Sequence, residues 1–125
     1  MTTETKQPPV QVLLVENDPA WQNIIGRLVQ NHPAFMLCNT VDHYDAAIKA
    51  FQSYRPDFVI LDWQINGKKS GVDVGHALLE LGLPAEKMVV VSSAPLSAMP
   101  AHPFFYIPKI AAARDLIDRM VLLYC

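Results

Sequence analysis

The sequence lacks long apolar runs and clusters of basic residues, and each absence excludes a class of protein. In its 125 residues no apolar stretch approaches the roughly 18 residues that a membrane-spanning helix needs. The 10 basic and 12 acidic side chains leave a net charge of −2, without the Lys/Arg clusters of a nucleic-acid-binding surface. We therefore expect a protein that binds neither a membrane nor nucleic acid directly.

Cysteine and histidine occur without the spacings that bind metals or form disulfides. The two cysteines, Cys38 and Cys125, lie far apart and show no Cys-x-x-Cys pattern, and the four histidines are scattered. Reduced thiols of a cytoplasmic protein are the simplest interpretation. A chain of this length buries roughly two thirds of its unfolded surface, so one compact domain needs neither disulfide nor structural metal.

Short apolar runs alternate along the chain with segments of helical periodicity. Runs rich in β-branched and aromatic residues, without polar alternation, predict parallel strands covered on both faces. Such runs occupy residues 10–15, 58–61, 88–91 and 104–107, with 34–40 as a weaker edge strand. Helical stripes predict helices at about 19–31, 43–54, 71–81 and 111–123, with start signals at Asp18, Asp42 and Ser70. This alternation predicts one doubly wound α/β domain over residues 10–125, after a loose polar leader at 1–9.

The link between the fourth and fifth predicted strands is unusually short. It spans Ser92 to Pro103 and contains Pro95 and Pro100 as well. Because proline removes a backbone donor and clashes inside a helix, we expect a loop or a single helical turn there.

Polar side chains follow the predicted strands at one edge of the sheet. Glu16, Asn17 and Asp18 follow the first strand, and Asp62 follows the third. Ser92 and Ser93 follow the fourth strand, and Lys109 lies just past the fifth. In an open parallel sheet the carboxyl ends of the strands form the ligand site. Acidic oxygens suit a hard cation such as Mg²⁺, and a lysine beside them suits a phosphoryl group.

Four motifs at these strand ends resemble those of the receiver domains of bacterial two-component response regulators. They are LLVENDP, PDFVILDWQ, VVVSSA and YIPK, and the resemblance spans residues 10–124. It implies a flavodoxin-like sheet in the order 2-1-3-4-5. It also implies a signalling domain, not a general enzyme, that takes a phosphoryl group on Asp62 from a histidine kinase or phosphotransfer protein.

The resemblance also implies a role for each site residue. The Mg²⁺ ligands are Glu16, Asn17, Asp62 and the backbone carbonyl of Gln64, the phosphoryl-transfer groups are Asp62, Ser93 and Lys109, and the switch residues are Ser93 and Tyr106.

Three features depart from the usual receiver pattern. Asn17 stands where a second aspartate is usual, so one negative charge is missing and Mg²⁺ should bind weakly. Ile110 replaces the proline that usually follows the lysine. The segment WQINGKKSG after the phosphoacceptor lacks the usual Met-Pro pair and acidic turn.

Two other functions compete with the phosphoacceptor receiver. A pseudo-receiver would keep the fold as a protein-interaction module and work without phosphorylation, and Asn17 and the short fourth crossover favour it. A flavodoxin-like enzyme or cofactor binder is disfavoured, because the acidic ENDPAW segment after the first strand is no Gly-rich phosphate loop.

The last helical segment has an apolar stripe wider than one core contact requires. The stripe consists of Leu116, Ile117, Met120, Val121 and Tyr124, extended by Leu122 and Leu123. We expect the short fourth crossover to leave part of it uncovered. This predicts a docking or homodimer face on the last helix and the fifth strand. The alternative is that the helix continues into an output domain.

Overall fold

The structure, a computed structural model, describes residues 8–125 and contains five strands and four α-helices in this range. The strands are β1 (Val10–Val15), β2 (Phe35–Val41), β3 (Phe58–Asp62), β4 (Met88–Ser92) and β5 (Phe105–Pro108). The helices are α1 (Pro19–Gln30), α2 (Tyr44–Tyr54), α3 (Gly71–Glu80) and α4 (Ala112–Tyr124). All strand pairs are parallel and the order is β2-β1-β3-β4-β5, which confirms the predicted sheet. Residues 1–7 of the expected leader lie outside the described residues.

The sheet is covered on both faces by helices. In β1, Val12 and Leu14 belong to the apolar cluster with α1 and α4, and Leu13 and Val15 to the cluster with α2 and α3. Every second residue thus enters a different core. This is the reason that the strand sequences show no polar alternation. None of the helices described is long and apolar enough to cross a bilayer.

Two of the three predicted helix starts are confirmed and one is wrong. Asp18 caps α1 by accepting a hydrogen bond from the Ala20 N–H, and Ser70 caps α3 in a capping box with Asp73. Helix α2 begins after His43, not after Asp42. The Asp42 carboxylate contacts the His43 ring nitrogen Nδ1 at 2.8 Å, so it is engaged by a side chain and does not cap the helix.

The fourth crossover contains one 3-10 turn, Leu96–Ala98, as its proline content predicted. Met99 and Phe104 are buried in the cluster with α2 and α3, on the face where a crossover helix would lie. The Phe104 ring stacks on His102 at 5.4 Å and packs close to Gly75 of α3. An aromatic ring therefore covers the sheet in place of a helix.

Strand β5 departs from the expectation that both of its faces are covered. It is an edge strand, and Phe105 is 44% exposed with the Arg119 guanidinium 4.2 Å from its ring. Among residues 8–125, no further strand pairs with the outer edge of β5. Phe105 therefore keeps contact with water on one side.

Part of the α4 stripe is uncovered, as expected, although the short crossover packs on the other face of the sheet. The crossover residues Met99 and Phe104 pack on one face of the sheet, and α4 packs on the opposite face with α1. At the end of α4, the Tyr124 hydroxyl donates a hydrogen bond of 3.0 Å to the Asp57 carbonyl. Leu122 nevertheless points to solvent and is 80% exposed.

We predict that Gly75→Ala lowers the free energy of unfolding by about 1–3 kcal/mol, because overpacking a core has this cost. A Cβ at residue 75 would lie 2.6 Å from the Phe104 ring. Gly26→Ala is the matched control, since a Cβ there meets Leu37 at an ordinary 3.5 Å. This control should raise the free energy by about 0.5–1 kcal/mol through helix propensity. Urea unfolding measures both, and equal effects would contradict the packing argument.

Candidate functional site

Three charged side chains are buried together at the carboxyl edge of the sheet. Glu16 is 0% exposed, Asp62 5% and Lys109 8%, and they follow or end β1, β3 and β5. The Lys109 ammonium Nζ lies 2.9 Å from Glu16 Oε1 and 3.2 Å from Asp62 Oδ2. One positive charge therefore faces two carboxylates in a site with little water.

The local chain holds each carboxylate in place. Glu16 Oε2 accepts a hydrogen bond of 3.0 Å from the Asp18 N–H, in the same loop that caps α1. Asp62 ends β3, and the start of α3 packs directly on its backbone. A Cβ at Gly71 would lie 1.7 Å from the Asp62 carbonyl oxygen, so this position accepts glycine alone without a shift of the backbone. The start of α3 therefore holds the backbone of Asp62, the candidate phosphoacceptor, in place.

The electrostatics of the site reflect an excess of negative charge. Burial, then the neighbouring Glu16, raises the pKa of Asp62 to about 7, against the opposing effect of Lys109. Burial lowers the pKa of Lys109, but its contacts with Glu16 and Asp62 together raise it more. The lysine is therefore held in its charged form. The second carboxylate lacks a full counter-charge, and a divalent cation can supply one.

The donor atoms near this edge suit Mg²⁺ in kind. In the described part of the chain, no three His, Cys, Asp or Glu side chains gather as a metal site. The candidate donors are the Glu16 and Asp62 carboxylates, the Asn17 amide and the Gln64 backbone carbonyl. Mg²⁺ binds few protein oxygens of this kind and fills its other coordination positions with water. The buried Glu16 Oε1 is contacted by the Lys109 ammonium at 2.9 Å, and a carboxylate oxygen has a second lone pair that can bind a cation. The residues present therefore fit the ion.

Asn17 and Gln64 lie on the two loops beside the carboxylates. Asn17 is half-buried, and its Nδ2 donates a hydrogen bond of 3.3 Å to Asn66 Oδ1 on the loop after β3. The Gln64 side chain is exposed on the same loop. The two loops thus meet next to the predicted metal position through an amide pair.

A cavity of about 600 Å³ opens beside Lys109. Ser93 and Lys109 line it together with Trp21 and Ile110. The Trp21 ring centre lies 5.2 Å from Lys109 Nζ, which is within cation–π range. Trp21 also packs against the apolar cluster of α1 and α4, and Trp63 packs against the cluster of α2 and α3. The position of Trp21 in the first turn after the ENDP loop is the sequence signal that it lies at the site.

Tyr106 is tied to the loop that carries Ser93. Its hydroxyl donates a hydrogen bond of 2.6 Å to the Ala94 carbonyl, and its ring is half-buried. Ser93 is exposed, whereas the neighbouring Ser92 is buried and its Oγ accepts a hydrogen bond from the Ala94 N–H. A shift of Ser93 would therefore move the acceptor of the tyrosine hydroxyl.

Comparison with known proteins places the chain among signalling domains. The family profile described as "Response regulator receiver domain" matches residues 12–120. No curated protein sequence matches the chain.

Solved structures of response regulators share this fold at low sequence identity. A two-component response regulator of the LuxR family from Aurantimonas sp. SI85-9A1 is 15% identical, with a TM-score of 0.79 over 93% of this chain and 85% of that one. The response regulator domain of Thermotoga maritima CheB is 11% identical, with a TM-score of 0.76 over 92% and 96%. A receiver protein from Sinorhizobium medicae WSM419 is 18% identical, with a TM-score of 0.76 over 92% and 94%. At these identities the likeness shows the fold.

We predict that Asp62→Asn stabilises the protein in metal-free buffer, and more so at pH 8 than at pH 5. The folded pKa of about 7 lies above the ordinary value of 3.8, so the folded state binds more protons between these values. Stability therefore falls as pH rises through this window. Removing the carboxylate should raise the free energy of unfolding by on the order of 2 kcal/mol at pH 8.

Urea unfolding with EDTA at both pH values measures this effect. Asp118→Asn is the control, because that carboxylate is exposed on α4. A gain that is the same at both pH values would contradict the assignment of the cost to an ionised Asp62.

Proposed function

We propose that this chain, which belongs to the response regulator receiver domain family, accepts a phosphoryl group on Asp62. Receiver domains are signalling domains of two-component systems and not general enzymes, they typically bind Mg²⁺, and they interact with kinases or phosphotransfer proteins. The observation that carries the proposal is the buried contact of 3.2 Å between Lys109 Nζ and Asp62 Oδ2. It places a fixed positive charge beside a nucleophile, where phosphoryl oxygens need charge.

In the proposed reaction an Asp62 carboxylate oxygen attacks phosphorus. The new bond joins this oxygen to phosphorus, and the bond from phosphorus to the leaving atom of the phosphodonor breaks. The leaving group departs with the electron pair. For a histidine kinase or phosphotransfer protein, it is the ring nitrogen of that protein's histidine. Lys109 and the Ser93 hydroxyl stabilise the phosphoryl oxygens.

The proposed Mg²⁺ ligands are Glu16, Asn17, Asp62 and the backbone carbonyl of Gln64. When bound, the ion neutralises charge between the carboxylates and the phosphoryl oxygens. Asn17 supplies an oxygen without a charge, so we propose weak binding compared with a site that has an aspartate at this position.

The proposed response to phosphorylation passes from Ser93 to Tyr106. A hydrogen bond from Ser93 to the phosphoryl group would pull the loop that includes Ala94. Because the Ala94 carbonyl accepts the Tyr106 hydroxyl, the tyrosine ring would follow. Phosphorylation would then bias two conformations of the domain and thereby change the partner surface.

The second candidate is a pseudo-receiver that binds partners without phosphorylation. Two observations favour it: the missing charge at Asn17, and a fourth crossover reduced to a three-residue 3-10 turn, Leu96–Ala98. Lys109 in contact with Asp62 favours the phosphoacceptor, because an interaction module has no need to keep this costly buried group.

We predict that acetyl phosphate with saturating Mg²⁺ adds the mass of one phosphoryl group to the intact protein. Asp62→Asn should add none, and EDTA should abolish the addition to the parent protein. Intact-mass measurement reads both results. A parent protein that gains no mass at saturating Mg²⁺ would contradict the phosphoacceptor and favour the pseudo-receiver.

We also propose a homodimer through α4 and β5, on the exposed side chains of Leu122 and Phe105. Leu122→Glu should convert a dimer to a monomer in light scattering, because a buried charge without a partner destabilises an interface. Met36→Glu, an equivalent change of an exposed residue on the opposite edge strand, should leave the dimer intact. A parent protein that is monomeric at high concentration would contradict the homodimer.

A further inference from the structure

The loop after β3 is attached to the neighbouring loop after β2 through Asn66. The Asn66 N–H donates a hydrogen bond of 2.9 Å to the Asp42 carbonyl, and His43 and Asn66 form a parallel β-bridge. These are backbone contacts, so they do not depend on the Asn66 side chain. They fix the Asn66 Cα against the loop after β2.

The Asn66 side chain contacts the amide of Asn17. Its Oδ1 accepts a hydrogen bond of 3.3 Å from Asn17 Nδ2. Because an amide nitrogen donates and an amide oxygen accepts, this contact engages the nitrogen end of the Asn17 side chain.

The hydrogen bond to Asn66 determines which end of the Asn17 amide is left for a cation. An amide binds a hard cation through its oxygen, whereas its nitrogen can only donate. We propose that Asn66 is a positioning residue for the divalent-cation site: it engages the Asn17 nitrogen and so presents the Asn17 oxygen to Mg²⁺. The proposal rests on the Mg²⁺ site of the proposed function and adds to it a residue outside the ligand set.

The pairing is specific for asparagine at position 17. An aspartate there has two oxygens and no donor, so it could not bond to Asn66 Oδ1. Its two oxygens are also equivalent, so it needs no partner to select between them. A contribution of Asn66 to Mg²⁺ binding should therefore exist with Asn17 and disappear with Asp at this position.

A double-mutant cycle on Mg²⁺ affinity tests this dependence. Calorimetric titration with MgCl₂ compares the parent, Asn66→Ala, Asn17→Asp and the double variant at one pH. Loss of an outer partner of a metal ligand commonly costs about tenfold in affinity or more. For this exposed pair we expect Asn66→Ala to weaken Mg²⁺ binding about 3- to 10-fold. In the Asn17→Asp background, which should itself bind more tightly than the parent, the same change should leave the affinity within about 2-fold.

Two controls separate positioning from a general effect on the fold. Lys68→Ala, on the same exposed loop, should leave the affinity unchanged. The urea midpoint of Asn66→Ala should stay close to that of the parent, because the backbone bridge remains. Equal weakening by Asn66→Ala in both backgrounds would overturn the positioning role and leave the Mg²⁺ site of the proposed function standing. A parent that binds no Mg²⁺ while Asn17→Asp binds it would overturn both.

Discussion

The arrangement of two buried carboxylates on a single lysine constrains the rest of the structure. Lys109 meets Glu16 and Asp62 at 2.9 and 3.2 Å where water is nearly excluded. Holding such charges apart from water costs free energy, and the fold supplies it through a sheet that is apolar on both faces. The loops around the three residues are correspondingly tight. The N–H of Asp18, the cap residue of α1, donates a hydrogen bond to the Glu16 carboxylate, and Gly71 packs on the Asp62 backbone.

This site has one negative charge in excess, because Glu16 and Asp62 face a single lysine. Asn17 beside it has an amide without a charge where receiver domains usually have a second aspartate. Burial, and then the neighbouring Glu16, raise the pKa of Asp62 against the opposing effect of Lys109. A cation at this edge is therefore the natural complement of the site. If Asn17 binds the cation as proposed, the orientation of its amide matters, because only one end of an amide is an oxygen, whereas both ends of a carboxylate are.

The short fourth crossover covers the core without a full helix. Phe104 and Met99 bury the face that a full helix would cover, and Gly75 leaves room for the aromatic ring. These two side chains close the core, but the edge strand β5 stays partly exposed to solvent. Tyr106 bridges this strand and the shortened loop through the Ala94 carbonyl, so the loop that carries Ser93 stays connected to the strand.

The sequence by itself determined the helix positions, the short crossover and the carboxyl-edge placement of Glu16, Asp62 and Lys109, and the resemblance of its motifs to receiver domains implied the strand order. These follow from local periodicity, proline chemistry and motifs in a fixed order, all of which are written along the chain. The tertiary structure decided what depends on residues distant in sequence. It brought the Trp21 ring within 5.2 Å of Lys109 and placed α4 on the face opposite the short crossover. It also paired Asn17 with Asn66, 49 positions away. Such contacts arise from side-chain packing and hydrogen-bond competition between segments, which no local pattern encodes.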